Sequence, residues 1–401
     1  MKRKWMLKVV GCLWGLSLQA QEEFIPPQSV LLTRFSYFEL SGGIMILQAR
    51  VGNAKDTLNF VLDTGSGGIS LDSATVLKLK LPAIPSEKII RGLNGMRTVS
   101  FVNGLTLHLP GLSVENLDFH VNDYELLSSV YGMKIDGIIG FSFLRRYIVK
   151  IDFDEDLIEV YTPGSYKYPK GGYLLKPNFS TLPLQPAYIK DSRLILGRFI
   201  FDTGAGLNML LSEDFVTDSA VFRKGRVFFP TQAEGLGGKK LMNLSLVREV
   251  RVGSYKFKKV PVHVFSDDFN VTAYPQMGGI IGNDLMRRFN MIVNYPEMSI
   301  HIKPNKHFSE PFDYSYTGLA FYLVNGEVKV EDIMEGSPAA KAGFMPGDII
   351  FSVDKTIGKD IKTYRNIFQN SLGRIPVMVI RDGHPVILTM DVKDIRNRNR
   401  N

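Results

Sequence analysis

Short apolar runs, separated by turns rich in Gly, Asn and Asp, recur along most of the chain. Two such runs flank the polar turn at residues 53–56, and two more flank the turn at residues 190–192. Apolar runs of this length joined by tight polar turns are typical of β-hairpins. The pattern therefore predicts a mainly β chain in which the second strand of each hairpin ends at an aspartate, Asp63 or Asp202.

The chain also repeats itself. Residues 60–71 read FVLDTGSGGISL and residues 199–211 read FIFDTGAGLNMLL; further along, residues 136–147 read DGIIGFSFLRRY and residues 278–289 read GGIIGNDLMRRF. The two motifs occur in the same order and at nearly the same spacing in both halves. Such a repeat predicts two β-rich lobes of similar build, at residues 21–163 and 164–305.

Each Asp-Thr-Gly motif places a carboxylate at the turn that ends a strand. Glycine lets the chain reverse where a side chain would collide, and threonine can hydrogen-bond locally and hold the turn. If the lobes pair about a pseudo-twofold axis, Asp63 and Asp202 meet and share one proton. One can then act as general base toward a water and the other as general acid toward a carbonyl. The alternative is that both aspartates only shape turns, but this alternative does not account for the duplication of the motif.

Between its two motifs each lobe carries a glycine-containing stretch, which we interpret as a hairpin tip. Plain surface turns are the alternative. Asp136 and Asp284, beside the Gly-Ile-Ile-Gly elements, have no counterpart in the other lobe, and we interpret both as structural. The tip candidates are Gly92, Asn94 and Gly95 in the first lobe and Gly235, Gly237 and Gly238 in the second.

These motifs resemble those of retropepsin-like and pepsin-like aspartic proteases, with two lobes in one chain, over roughly residues 35–305. The resemblance implies a pseudo-twofold acid-protease fold of two β-barrel lobes, with the hairpin tips as flaps over a bound peptide. It implies an aspartic endopeptidase with Asp63 and Asp202 as catalytic residues. The first flap candidate lacks the tyrosine of the pepsin branch, and the presence of two candidates points to the retropepsin side. The resemblance also implies that the active-site loops are supported by Thr64, Gly65, Ser66, Thr203, Gly204 and Ala205.

After Pro304 the pattern changes, and residues 335–350 read EGSPAAKAGFMPGDII. Residues 312–394 resemble a small α+β PDZ domain of the kind found with bacterial proteases. Ser337 suits a helix N-cap with Pro338 at the first helical position, and Gly343 suits the helix end. The resemblance implies a loop whose backbone N–H groups capture a peptide's C-terminal carboxylate. A PDZ domain that only packs against the lobes is the alternative. The loop consists of Gly318, Leu319, Ala320 and Phe321.

The first twenty residues have a basic start followed by an apolar stretch, which predicts a secretory signal peptide cut after Ala20. A lipoprotein box ending at Cys12 and an uncleaved membrane anchor are the alternatives. We therefore expect the protein to be exported to the periplasm or secreted into the medium. Cys12 is the only cysteine, so the mature chain would lack disulfides. The formal net charge is +8, and part of it lies in the leader.

Other chemistry finds little support in the sequence. The six histidines lack metal-ligand spacing, and no phosphate-binding loop is present, so we expect no metal, no cofactor and no nucleic acid partner. We expect a peptide or protein substrate, a C-terminal peptide as PDZ ligand, and a monomer that suffices for the aspartate pair. The rival function is a non-catalytic exported peptide-binding protein that uses the PDZ domain. A third is self-processing only, within residues 21–34.

Overall fold

The computed structural model describes residues 26–92, 95–235, 237–358 and 360–397. The predicted leader, with its cleavage after Ala20 or at Cys12, lies outside these residues. Within the described ranges, no helix is long and apolar enough to cross a membrane.

Within its described residues, the first lobe contributes eleven strands, three helices and a 3-10 turn at Ser41–Gly43. Its strands are β1 (Leu31–Ser36), β2 (Phe38–Glu39), β3 (Met45–Val51), β4 (Leu58–Leu62), β5 (Ile69–Asp72), β6 (Ile84–Gly92), β7 (Gly95–Leu109), β8 (Leu112–Asn122), β9 (Gly137–Ile139), β10 (Ile148–Asp152) and β11 (Leu157–Tyr161). Its helices are α1 (Ser73–Lys78), α2 (Glu125–Tyr131) and α3 (Phe141–Leu144).

The second lobe repeats this plan closely. Its strands are β12 (Tyr173–Leu175), β13 (Asn178–Phe179), β14 (Pro183–Lys190), β15 (Leu194–Asp202), β16 (Met209–Ser212), β17 (Phe229–Gly235), β18 (Gly238–Val252), β19 (Tyr255–Phe265), β20 (Gly279–Gly282), β21 (Phe289–Asn294) and β22 (Ser299–Pro304). Its helices are α4 (Glu213–Asp218) and α5 (Asn283–Met286).

Each lobe folds around an eight-stranded sheet. In the first lobe the strand order is β2-β3-β4-β9-β5-β8-β7-β6, and a further pairing of β3 with β7 closes six of the strands into a barrel. In the second lobe the order is β13-β14-β15-β20-β16-β19-β18-β17, and β14 pairs with β18 in the same way. The hairpins β3–β4 and β14–β15 lie where the sequence predicts them. The mainly β, two-barrel prediction is confirmed.

A third sheet joins the two lobes. Its six strands follow the order β1-β11-β10-β21-β22-β12, so three come from each lobe. The junction is the antiparallel pair β10–β21, in which Lys150 lies opposite Ile292. Val149 and Val293 beside it are fully buried. The sequence predicts the individual strands, but it does not predict that they pair in one sheet.

The C-terminal module has its own sheet and core. Its elements are β23 (Ser315–Tyr316), β24 (Leu319–Val324), β25 (Glu327–Ile333), α6 (Pro338–Ala342), β26 (Ile349–Val353), β27 (Thr356–Ile357), α7 (Ile361–Gln369), β28 (Gly373–Arg381) and β29 (His384–Asp394). Sheet order is β23-β29-β28-β26-β25-β24, and β27 pairs with β26. Ser337 accepts a hydrogen bond from Ala340 N at 3.1 Å, and Gly343 ends α6 with a left-handed φ of 85°. The predicted caps of α6 are confirmed.

One glycine of the second lobe offers a stability test of the barrel. Gly279 begins β20 with a φ of +146°, and a Cβ built on it would lie 1.9 Å from the carbonyl oxygen of Leu210. Gly279→Ala should therefore destabilise the protein by about 3 kcal/mol or more, since strain and collision add. Urea unfolding followed by tyrosine fluorescence and circular dichroism measures the loss. Gly95→Ala is the control, because a Cβ there has no atom within 4 Å, and an equal loss in both variants would contradict the argument.

Candidate active site

Asp63 and Asp202 lie at the ends of equivalent strands and face each other. Asp63 follows β4 directly, and Asp202 is the last residue of β15. A Cβ built on Gly65 would lie 2.3 Å from Cγ of Asp202, and one built on Gly204 would lie 2.4 Å from Cγ of Asp63. Each carboxylate thus packs against the glycine of the opposite motif. Only glycine leaves room for this arrangement, which brings the two carboxyl groups together between the lobes.

The two threonines hold the motifs together by crossed hydrogen bonds. Thr64 N donates to Thr203 Oγ1 at 3.0 Å, and Thr203 N donates to Thr64 Oγ1 at 3.0 Å. The Thr64 hydroxyl donates to the carbonyl of Phe201 at 2.5 Å, and that of Thr203 donates to the carbonyl of Leu62 at 2.9 Å. Both threonines have no exposed surface. The network therefore fixes the spacing of the two strand ends.

Backbone amides and mutual contact set the charge of the pair. Gly65 N donates to Asp63 Oδ1 at 2.7 Å, and Gly204 N donates to Asp202 Oδ1 at 2.8 Å. Burial, the charge of Asp202 and a hydrogen bond with Asp202 raise the pKa of Asp63 well above its usual value. Burial also raises the pKa of Asp202, although its hydrogen bond with Asp63 works against the rise. The pair is therefore arranged to share one proton.

The Gly-Ile-Ile-Gly elements lie behind the two loops. Asp63 N donates to the carbonyl of Ile139 at 2.9 Å. A Cβ built on Gly140 would lie 2.6 Å from the carbonyl oxygen of Ser66, and one built on Gly282 would lie 2.7 Å from that of Ala205. Phe141 N and Asn283 N donate to the same two carbonyls at 3.0 and 2.7 Å, respectively. The Gly-Ile-Ile-Gly elements therefore support both active-site loops, and they do so through the backbone carbonyls of Ser66 and Ala205.

The aspartates beside these elements have local partners. Asp136 accepts hydrogen bonds from Asn59 N at 2.9 Å and from Thr75 Oγ1 at 2.7 Å. Asp284 accepts from Arg287 Nε at 3.0 Å. Neither belongs to the pair formed by Asp63 and Asp202, in keeping with their structural interpretation.

The flap candidates lie at hairpin tips in both lobes. Gly92 pairs with Gly95 at the tip of β6–β7, and Gly235 pairs with Gly238 at the tip of β17–β18. Gly237 lines a small recess together with Gly92 and Gly95, so the two tips lie side by side. The sixth candidate, Asn94, lies outside the described residues.

Tyr295 is a residue near the site that the sequence analysis missed. Its hydroxyl donates to the carbonyl of Thr64 at 3.4 Å, and its ring packs edge-on against Phe179 at 4.6 Å. Burial, together with the charges of Asp63 and Asp202, raises its pKa. The signal was available, because Tyr295 occupies the place in the second repeat that Phe153 occupies in the first.

The end of α2 in the first lobe packs against the PDZ domain, which also holds the predicted carboxylate-binding loop. The predicted loop residues lie at the start of β24, where Gly318 has a left-handed φ of +65° and Leu319 N donates to Thr317 Oγ1 at 3.2 Å. At the end of α2, a Cβ built on Gly132 would lie 2.3 Å from Cγ2 of Ile361 in α7 and 3.9 Å from Cβ of Leu323 in β24. The end of α2 therefore contacts both β24 and α7, the two elements expected to border a peptide groove.

A cavity of about 410 Å³ opens where the lobes meet the PDZ domain. Its walls come from α2, from the tip of β17–β18 and from strands β24 and β25, and include Glu125, Lys239 and Tyr322. Neither Asp63 nor Asp202 lines it. Among the described residues, no group of three or more His, Cys, Asp or Glu side chains is placed to hold a metal ion.

Comparison with known families follows the same division of the chain. Residues 47–143 and 186–285 match the aspartyl protease family, and residues 329–382 match the PDZ domain family. No curated protein matches the chain significantly. The first two matches contain Asp63 and Asp202, respectively, and the third begins within β25. The chain therefore carries a two-part aspartyl protease unit of the retropepsin-like kind, followed by a C-terminal PDZ domain.

Proposed function

We propose that this protein is an aspartic endopeptidase in which Asp63 and Asp202 activate a water for peptide-bond hydrolysis. The observation that carries the proposal is the packing of each carboxylate against the glycine of the opposite motif, 2.3 and 2.4 Å from a built Cβ. This packing brings the two carboxyl groups into contact with each other, and two carboxyl groups in contact favour the state in which they share one proton. A peptide lying between the lobes would meet both carboxyl groups at once.

In the proposed reaction, Asp202 is the general base and Asp63 the general acid. Asp202 takes a proton from the water as the water attacks the scissile carbonyl, and Asp63 gives its proton to the carbonyl oxygen. The amides of Gly65 and Gly204 hold one oxygen of each carboxylate and so fix the orientation of the pair. The crossed threonine bonds keep the distance between the carboxylates constant during the reaction.

The PDZ domain supplies peptide recognition in this proposal. Residues 318–321 would bind a C-terminal carboxylate, and the peptide would lie along β24. Because the end of α2 reaches between Leu323 and Ile361, a bound peptide must share the groove with α2 or displace its end. Recognition at the PDZ domain and the position of α2 are thus linked.

An unstructured peptide library incubated with the protein from acid to neutral pH tests the proposal. We expect internal cuts, read by mass spectrometry, that weaken as the pH rises through the raised pKa of Asp63, because the shared proton is then lost. A hydroxyl-bearing transition-state inhibitor of the pepstatin type should suppress them. Intact peptides at every pH, together with tight binding of C-terminal peptides, would instead favour the non-catalytic binding protein.

A further inference from the structure

The hairpin formed by residues 229–235 and 238–244, here called the lobe 2 hairpin, shares a buried cluster with the loop that carries Asp202. Ala233 packs against a buried cluster that includes Met242 from the facing strand. Ala205 and Leu207 pack against the same cluster, and both follow Asp202 closely in the chain. A shift of the hairpin would therefore disturb the packing of the loop that carries Asp202.

Polar residues of this hairpin bind the PDZ domain. Tyr322 Oη donates to Glu234 Oε1 at 2.5 Å, and Gln232 Nε2 donates to Tyr322 Oη at 2.7 Å. Lys239 Nζ donates to Asp332 Oδ2 at 2.6 Å and lies 5.0 Å from the centre of the Tyr322 ring. Gln232 Nε2 also reaches Asp332 Oδ2 at 3.2 Å. Two PDZ side chains thus bind both strands of the hairpin near its tip.

The charge states of these groups suit a lasting contact. Tyr322 is only 3% exposed, and burial followed by the charge of Glu234 raises its pKa, so its hydroxyl remains a donor. Partial burial alone would raise the pKa of Asp332, but hydrogen bonds from Lys239 and Gln232 outweigh burial and lower it. Asp332 is therefore an anion at neutral pH and a strong acceptor for Lys239.

We propose that Tyr322 and Asp332 of the PDZ domain are positioning residues for peptide cleavage, because they hold the lobe 2 hairpin against the Asp202 loop. The inference rests on the proposed function of the two aspartates. It gives the PDZ domain a role in the geometry of the cleft that does not depend on a bound C-terminal peptide.

Hydrogen exchange of the full chain, read by mass spectrometry, tests the anchoring directly. In Tyr322→Phe and in Asp332→Asn, amides of residues 229–235 and 238–244 should exchange about tenfold faster than in the wild type. Tyr364→Phe is the matched control, since its hydroxyl donates to the carbonyl of Phe351 at 2.6 Å, inside the PDZ domain. That variant should leave the hairpin amides unchanged. Unchanged exchange in Tyr322→Phe, or equal acceleration in Tyr364→Phe, would overturn the proposal.

Kinetics on a peptide cut by the wild type separate positioning from chemistry. For Tyr322→Phe we expect kcat/KM to fall about tenfold, mainly through a higher KM, because a loose hairpin binds the peptide less well. Adding Glu234→Gln should cost little more, since Tyr322→Phe has already removed the hydrogen bond that Glu234 accepts from Tyr322. Normal kinetics in Tyr322→Phe would contradict the positioning role. If the wild type cuts no peptide, the proposed function fails, and the exchange data separately decide whether the PDZ domain anchors the hairpin.

Discussion

Asparagine at position 63 should abolish peptide cleavage while leaving the fold intact. Asp63→Asn keeps the size of the side chain and its acceptor for Gly65 N, at 2.7 Å in the wild type, but removes the titratable group. Loss of an acid–base group of this kind lowers kcat by about 10³-fold or more. Asp202→Asn should have the same effect, because the pair works as a unit. Cuts in the peptide library, counted by mass spectrometry for each variant, measure the loss.

The Asp63→Asn variant should also differ from the wild type in the pH dependence of its stability. A carboxyl whose pKa is raised in the folded state stabilises the fold below its unfolded pKa, and this contribution is lost as the pH rises through the folded pKa. Asp63→Asn places an uncharged side chain at this position at every pH, so ionisation of the buried carboxyl no longer lowers stability. At neutral pH the variant should therefore be at least as stable as the wild type. Asp284→Asn is the control, since it removes only the charge that pairs with Arg287 and should cleave normally. Full cleavage by either Asp63→Asn or Asp202→Asn would refute the shared-proton mechanism.

Valine at position 64 should damage both stability and catalysis. Thr64→Val keeps the shape but removes the hydroxyl that donates to Phe201 O and accepts from Thr203 N, at 2.5 and 3.0 Å. Because these groups are buried, losing both bonds should lower the free energy of unfolding by about 3 kcal/mol. The carboxylates would also lose their fixed spacing, so kcat should fall by about 10²-fold. Urea unfolding and peptide-cleavage kinetics measure the two effects.

Serine at the same position separates the hydroxyl from the methyl group. Thr64→Ser keeps both hydrogen bonds and loses only one buried methyl group, so it should cost about 1 kcal/mol and retain most of the activity. If Thr64→Ser were as damaged as Thr64→Val, packing rather than the crossed hydrogen bonds would be responsible. Equal activity in Thr64→Val and the wild type would show that the threonine network does not set the geometry of the pair.

Local sequence signals predicted the parts of the site that are built locally. The Asp-Thr-Gly motifs, their preceding hairpins and the glycine tips each lie within one or two neighbouring strands, where alternation and turn residues carry the information. Repetition of the motifs then indicated that Asp63 and Asp202 belong together. The caps of α6 at Ser337 and Gly343 followed from the same kind of local rule.

Contacts between distant segments were beyond these signals. The pairing of β10 with β21 and the hydroxyl of Tyr295 under Thr64 join residues far apart in the chain. Insertion of the α2 end beside Leu323, and the bond from Tyr322 to Glu234, depend on how whole domains pack. No period or motif encodes such packing, because each side chain also fits an ordinary surface position. The leader and its cleavage site stay a prediction.

The sheet shared by the lobes has a consequence for biogenesis. Strand β10 leaves the ribosome well before its partner β21, so the first half of the protein must wait with an open strand edge. That edge reads Ile148, Val149, Lys150, Ile151, with one charge to discourage pairing with another chain. Pairings between remote segments also form slowly. A chain that lacks its second half therefore offers other copies the strand edge that β21 covers in the complete protein.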